Sequence, residues 1–244
     1  MRKVVYLTAL AMLIVGTALF IHYGRSIWVP GYQQLVGKKT LLEAIQQYGP
    51  AAEARLQQRF AQAGVAYPPE RISLLGLKQE RQLELWAHVN GQAHHVYSYS
   101  VQAASGKSGP KLREGDRQVP EGRYQIEGLN PNSRFHLSLK LNYPNAFDWN
   151  QAKREGRNLP GSNIFIHGKA QSVGCLAMGD EAIEELFTLV HRTGVQKTEV
   201  LIAPRDPRQH QLQQLRAAQV PWVAQLYGEL ENAFKAFPLP ESKP

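Results

Sequence analysis

The hydrophobic pattern divides the chain into stretches of different period. Residues 4–21 contain no charge and are apolar at nearly every position, matching the run of about 18 residues expected of a membrane-crossing helix. Over residues 41–63 apolar positions recur at helical spacing. Leu41, Leu42 and Ile45 precede Gly49-Pro50, and Ala52, Leu56, Phe60 and Ala63 follow it, which predicts two short helices with a break between them. Past Tyr67-Pro68-Pro69 the period falls to two: Leu83, Leu85, Ala87 and Val89 share a face and lead through Asn90-Gly91 to Tyr97, Tyr99 and Val101, a hairpin with its preferred turn. Further strands are predicted at 123–127, 135–141, 164–167 and 199–203. In the second of these, Phe135, Leu137, Leu139 and Leu141 alternate with His136, Ser138 and Lys140. One helix, capped by Asp180, carries Ile183, Leu186, Phe187 and Val190 on a single stripe. A last helical region, interrupted by Pro221, holds Leu212, Leu215, Trp222, Leu226 and Leu230 before a Pro-rich end.

Arg2 and Lys3 precede the first apolar run. A signal peptide shares that basic flank, but the run exceeds the usual core of about 7 to 15 residues and lacks a clean Ala-x-Ala site. The pattern therefore favours an uncleaved anchor in the inner membrane, with its basic end in the cytoplasm and the remaining chain in the periplasm; cleavage would export the same domain. Without Arg2 and Lys3 the chain keeps 26 basic residues against 20 acidic ones, a balance of about +6, which favours anionic partners such as stem-peptide carboxylates or acidic lipid headgroups. Lys/Arg runs interleaved with aromatics are missing, and with the export signal this argues against nucleic acid as a partner. About 220 residues suffice for one full core with helical additions at its ends.

Cys175 is the sole cysteine, so no intramolecular disulfide can form. It ends the run His167-Gly168-Lys169-Ala170-Gln171-Ser172-Val173-Gly174-Cys175, in which a histidine and a small-residue turn lead into a thiol. That arrangement suits a nucleophile with its base and a turn whose N–H groups face a reacting carbonyl. His88, His94 and His95 do not suggest a metal site, because neighbours in a strand point to opposite faces and neither His-Glu-x-x-His nor a cysteine pair occurs. No metal or organic cofactor is expected.

His167-Gly168 followed by Ser172-Val173-Gly174-Cys175 resembles the signature of the L,D-transpeptidase catalytic domain, the YkuD-type family. Ser105-Gly106, residues 109–116 and Val119-Pro120-Glu121-Gly122-Arg123-Tyr124 resemble its substrate-side hairpin. Residues 135–138 and 143–148 resemble the YafK-type branch. The resemblance implies an α+β, sheet-rich fold: a β-sandwich core with one packed helix, plus the N-terminal transmembrane helix and terminal helices. The expected division is an anchor or signal segment at 1–24, a helical membrane-proximal region at 25–81, the catalytic domain at 82–203 and a helical extension at 204–244.

The implied chemistry is attack by Cys175 on a peptide carbonyl, with His167 as base and then acid through a thiolate–imidazolium pair. The Gly174 and Cys175 N–H groups would hold the oxyanion, the Gly168 carbonyl would steer His167, and Ser172 would brace the turn. Lys111, Arg113, Glu114, Asp116, His136, Ser138, Tyr143 and Asn145 are the implied substrate-binding residues. The implied partners are peptidoglycan stem peptides containing diaminopimelate and, in one branch, peptidoglycan-linked outer-membrane (Braun-type) lipoprotein. Many family members carry arginine or asparagine two residues after the cysteine. Here Cys175-Leu176-Ala177-Met178 resembles the branch that hydrolyses the lipoprotein link. A membrane-tethered, non-catalytic peptidoglycan-binding scaffold is the alternative.

Overall fold

The computed structural model describes residues 2–240. Two N-terminal helices, α1 (Arg2–Tyr23) and α2 (Arg25–Val36), precede a long helix, α3 (Leu41–Gln62). Nine strands follow: β1 (Ile72–Leu77), β2 (Gln82–Val89), β3 (Gln92–Ser100), β4 (Ala103–Ala104), β5 (Gly122–Ser133), β6 (His136–Leu141), β7 (Phe165–His167), β8 (Leu176–Ala177) and β9 (Thr198–Ala203). Between and after them lie α4 (Ala146–Arg154), α5 (Asp180–Thr193) and α6 (Pro221–Phe234).

The strands form one mixed sheet in the order β3-β2-β1-β9-β5-β6-β7-β8-β4, where the sequence implied a sandwich. Its terminal strands, β3 and β4, are separated in the chain only by Val101 and Gln102, so the sheet must curl for both ends to be reached. Both faces are covered. Ile72, Leu74, Leu83, Leu85, Val200 and Ile202 point into a core shared with α3 and α5. Their neighbours Leu75, Leu77, Trp86, Leu201 and Ala203 point the other way, onto Leu226, Tyr227, Leu230 and Phe234 of α6. Period-two alternation in a sheet buried on both sides produces this division. Three helices therefore pack on the sheet where one was expected.

The expected N-terminal anchor is not supported. Among the described residues no helix is long and apolar enough to cross a membrane, and this finding overturns the inner-membrane placement read from residues 4–21. The run lies within α1, from Arg2 to Tyr23.

The break expected at Gly49-Pro50 is absent, and α3 runs through it. A proline inside a helix costs about 3 kcal/mol, and tertiary contacts offset it. Ala44, Ile45, Leu56 and Phe60 enter the core, while Arg55 and Arg59 donate to the fully buried Glu185 of α5 at 2.7 and 2.8 Å. Asp180 is not the cap of α5; Gly179 holds that position. The Asp180 carboxylate instead accepts from the Lys169 backbone N–H at 3.0 Å and pairs with the Lys169 ammonium, tying the segment after His167 to the helix.

Candidate active site

Backbone register builds the site. β7 lies between β6 and β8, with Ser138 opposite His167 on one side and Ile166 opposite Leu176 on the other. Ile166 and Leu176 enter the core. Alternation turns their neighbours His167 and Cys175 to the other face, where both line a cavity of about 700 Å³ together with Phe135, Ser138, Asn163 and Phe165.

The imidazole is held at several points. His167 Nδ1 lies 2.6 Å from the Gly168 carbonyl oxygen. A carbonyl only accepts, so Nδ1 carries the proton and Nε2 is left as the basic nitrogen. Phe135 stacks on the ring at 4.7 Å between centroids and 28° between planes. Gly168 is required here by space: a β-carbon would come within 2.7 Å of the Phe135 carbonyl oxygen and 2.8 Å of Asp180. The fixed ring is also the orientation in which a general base is useful.

The turn before the thiol is fastened by two hydroxyls. Ser172 Oγ donates to the Cys175 carbonyl at 2.6 Å and accepts from the Cys175 N–H at 3.2 Å. Ser105 Oγ accepts from the Gly174 N–H at 2.6 Å. Gly174 has φ +97°, a region that side chains disfavour. The two N–H groups expected to bind an oxyanion are thus occupied by hydroxyl oxygens, which must turn aside before either amide can serve a substrate. Ser105 and Phe135 were not singled out as site residues from sequence, since neither belongs to the His-Gly or Ser-x-Gly-Cys block.

Electrostatics describe a resting pair of neutral groups. Burial pushes the Cys175 thiol up; a backbone hydrogen bond from Phe165 and the charge of Lys111 pull it down by less. Burial pushes His167 down, and its bond to Gly168 opposes that only in part. Both shifts disfavour the thiolate–imidazolium pair. Alkylation of Cys175 by iodoacetamide is therefore expected to keep rising as pH passes through and above the ordinary thiol range. A plateau already reached by about pH 7 would show a preformed ion pair.

The substrate-binding candidates separate clearly. Ser138 lines the Cys175 cavity. Lys111 is buried, donating to Asp116 at 2.5 Å and to the Arg113 carbonyl at 3.0 Å. Asp116 also accepts from the backbone of Leu112, Arg113 and Gln118, so these residues organise their own loop. Arg113 is exposed, and Glu114 accepts from Ser162. His136 meets Glu184 at 2.8 Å and Tyr48 edge-on. The Tyr143 hydroxyl donates to the Pro160 carbonyl, and Asn145 caps α4. Ala177 pairs with His167 in β8 but is fully buried and does not line the Cys175 cavity. Among the described residues no group of three or more His, Cys, Asp or Glu side chains could hold a metal ion; His88 and His95 hydrogen-bond Ser73 and Ser98.

A histidine steered by a main-chain carbonyl, sharing a cavity with the thiol that ends a Ser-x-Gly-Cys turn, defines the class: residues 77–202 match the L,D-transpeptidase catalytic domain family, YkuD, and the chain belongs to it. That family acts on peptidoglycan. YafK of Escherichia coli (strain K12) is 36% identical over 115 residues, 46% of this chain and 44% of that protein. The chain thus matches less than half the length of this relative. Two solved structures are also similar. The helical cell shape determining protein Pgp2 of Campylobacter jejuni (K307A mutant) has TM-score 0.46 and 22% identity, covering 68% of this chain and 54% of that one. Bd1075 of Bdellovibrio bacteriovorus has TM-score 0.41 and 25% identity over 55% and 48%.

Proposed function

We propose that this protein is a cysteine acyltransferase or amidase acting on peptidoglycan stems that contain diaminopimelate. The observation that carries this is the fixed imidazole: with Nδ1–H donated to Gly168, Nε2 is the nitrogen available to take the Cys175 proton in the shared cavity. The sulfur then bonds to the stem carbonyl carbon, the amide C–N bond breaks, and the imidazolium returns its proton to the departing amine. The resulting thioester passes to water or to the amine of a second stem. Stems linked to outer-membrane lipoprotein are the proposed hydrolytic substrate. The Gly174 and Cys175 amides, freed by rotation of Ser105 and Ser172, are the proposed oxyanion donors.

Incubating the purified protein with sacculi that carry or lack lipoprotein tests this reading, with the products identified by mass. Release of lipoprotein-derived peptides from the first sample supports the amidase route, and joined muropeptides in either sample support transpeptidation. No product in either would contradict both. The raised thiol pKa and the occupied amides are what favour a non-catalytic peptidoglycan-binding scaffold as a second reading. Rapid acylation of Cys175 by a carbapenem would exclude it.

A further inference from the structure

The wall of the Cys175 cavity that faces away from β7 does not come from the family-matched residues alone. Helix α2 and the turn after it supply Gln33, Gln34 and Lys38, opposite Asn130, Asn132 and Arg134 at the β5–β6 turn. This juxtaposition is fastened. Arg25 Nε donates to the Arg134 carbonyl at 2.8 Å and Gln33 Nε2 to the Asn132 carbonyl at 3.0 Å. Lys39 and Asn132 exchange two bonds, Lys39 N to Asn132 Oδ1 at 2.9 Å and Asn132 Nδ2 to the Lys39 carbonyl at 2.8 Å. Val29 of α2 is buried. Helix α2 is therefore docked on the hairpin that borders the nucleophile.

The chemistry of this wall is one-sided. No acidic side chain lines the cavity among the described residues. Lys38 and Arg134 bring two positive charges to it, and neither is paired with a carboxylate among the described residues. Around them stand side-chain amides, which donate and accept in the pattern a peptide backbone needs. A cavity of a single charge sign attracts the opposite charge, and more strongly where protein walls exclude water.

We propose that α2 and the β5–β6 turn form a peptide-binding subsite beside Cys175, in which Lys38 and Arg134 hold a free carboxylate of the bound peptide and the side-chain amide of Gln34 and the Nδ2 of Asn130 hold its backbone, while Gln33 and Asn132 fasten the wall itself. The subsite deepens the reading of Cys175 as nucleophile and rests on it for its place in the reaction. The peptide is either the donor stem or the acceptor stem; the carboxylate is common to both. Residues outside the family-matched segment then help to select the substrate.

Binding is measured on the full chain carrying Cys175→Ala, so that it is read apart from acylation. The probes are a synthetic stem tetrapeptide with free carboxylates and the same peptide with every carboxylate converted to a primary amide. The free acid is expected to bind roughly tenfold more tightly, as charge-assisted hydrogen bonds are stronger than neutral ones. Adding Lys38→Gln and Arg134→Gln is expected to erase that difference while leaving the thermal midpoint unchanged, because both side chains are exposed. Equal binding of the two peptides to the parent, or a difference that survives both substitutions, would overturn the subsite.

With Cys175 restored, a raised KM for acylation in the double variant assigns the site to the donor. A reduced share of thioester passed to an added amine assigns it to the acceptor. Absence of acylation with carboxylate-dependent binding intact would overturn the nucleophile reading and leave the binding site standing.

Discussion

Cys175→Ser is expected to lose turnover on stem peptides by about 10³-fold or more, a loss typical of removing a nucleophile, while its thermal midpoint stays within a degree or so of the parent. A serine hydroxyl is far less acidic than a thiol, and His167 is poorly placed to compensate because burial has already lowered its basicity. The fold has little to lose. The sulfur meets only backbone groups, the Phe165 main chain and, at 3.9 Å, the Asn163 carbonyl, and the turn is held by Ser105 and Ser172 through backbone groups that the substitution leaves in place. Turnover by the serine variant at the parent rate would remove Cys175 from the mechanism.

Glu121→Gln is expected to destabilise the protein by about 3–5 kcal/mol, the cost of stranding one half of a buried ion pair. Glu121 is buried and accepts from Lys78 Nζ, the Gly109 N–H and the Tyr227 hydroxyl, each at 2.8 Å. Lys78 also donates to the carbonyls of Lys107, Gly109 and Val119. Burial pushes the Lys78 ammonium down and the Glu121 charge draws it back up; glutamine keeps the shape and removes the charge that offsets burial. At about 2–4 °C per kcal/mol for a chain of this size, the unfolding midpoint should fall by about 10 °C. A fall of only a degree or two would mean that the ammonium finds its compensation in the carbonyls alone. The pair ties β1 and α6 to the segment that carries Ser105, so it supports the turn before Cys175 from a distance.

What the sequence could convey depended on how local the governing interaction is. The hairpin over Asn90-Gly91, the alternation of β6 and the stripe on α5 are set by neighbours along the chain, and they stand where the pattern put them. β1 escaped that reading because Ile72–Leu77 is buried at every position and has no polar alternation. It pairs in parallel with β9, whose partner residues lie over a hundred positions away. The proline in α3 looked like a break because its cost is local, whereas the contacts to Glu185 that overcome it are remote. α4 carried a legible signal, Asn145 three residues before Asp148, and the structure shows that capping box.

The site was legible in part for the same reason. Cys175, His167, Gly168 and Ser172 lie within nine consecutive residues, and their spacing survives folding as one constellation. The charged residues around Lys111 suggested a substrate grip, yet a charge in sequence does not disclose whether its partner is a ligand or, as with Asp116, a neighbour five residues on. Ser105, Phe135 and the α2 residues reach the site only through tertiary contact.

The central claim is that Cys175 forms a thioester with a stem peptide. Its most direct test is to mix the protein with a synthetic diaminopimelate-containing tetrapeptide stem, quench with acid at early times and weigh the intact chain. One adduct is predicted, adding the mass of the stem less that of the free amino acid it releases, located on the tryptic peptide that holds Cys175 and released by hydroxylamine. Turnover of the stem with no adduct at any time, or with an adduct on another residue, would contradict the claim.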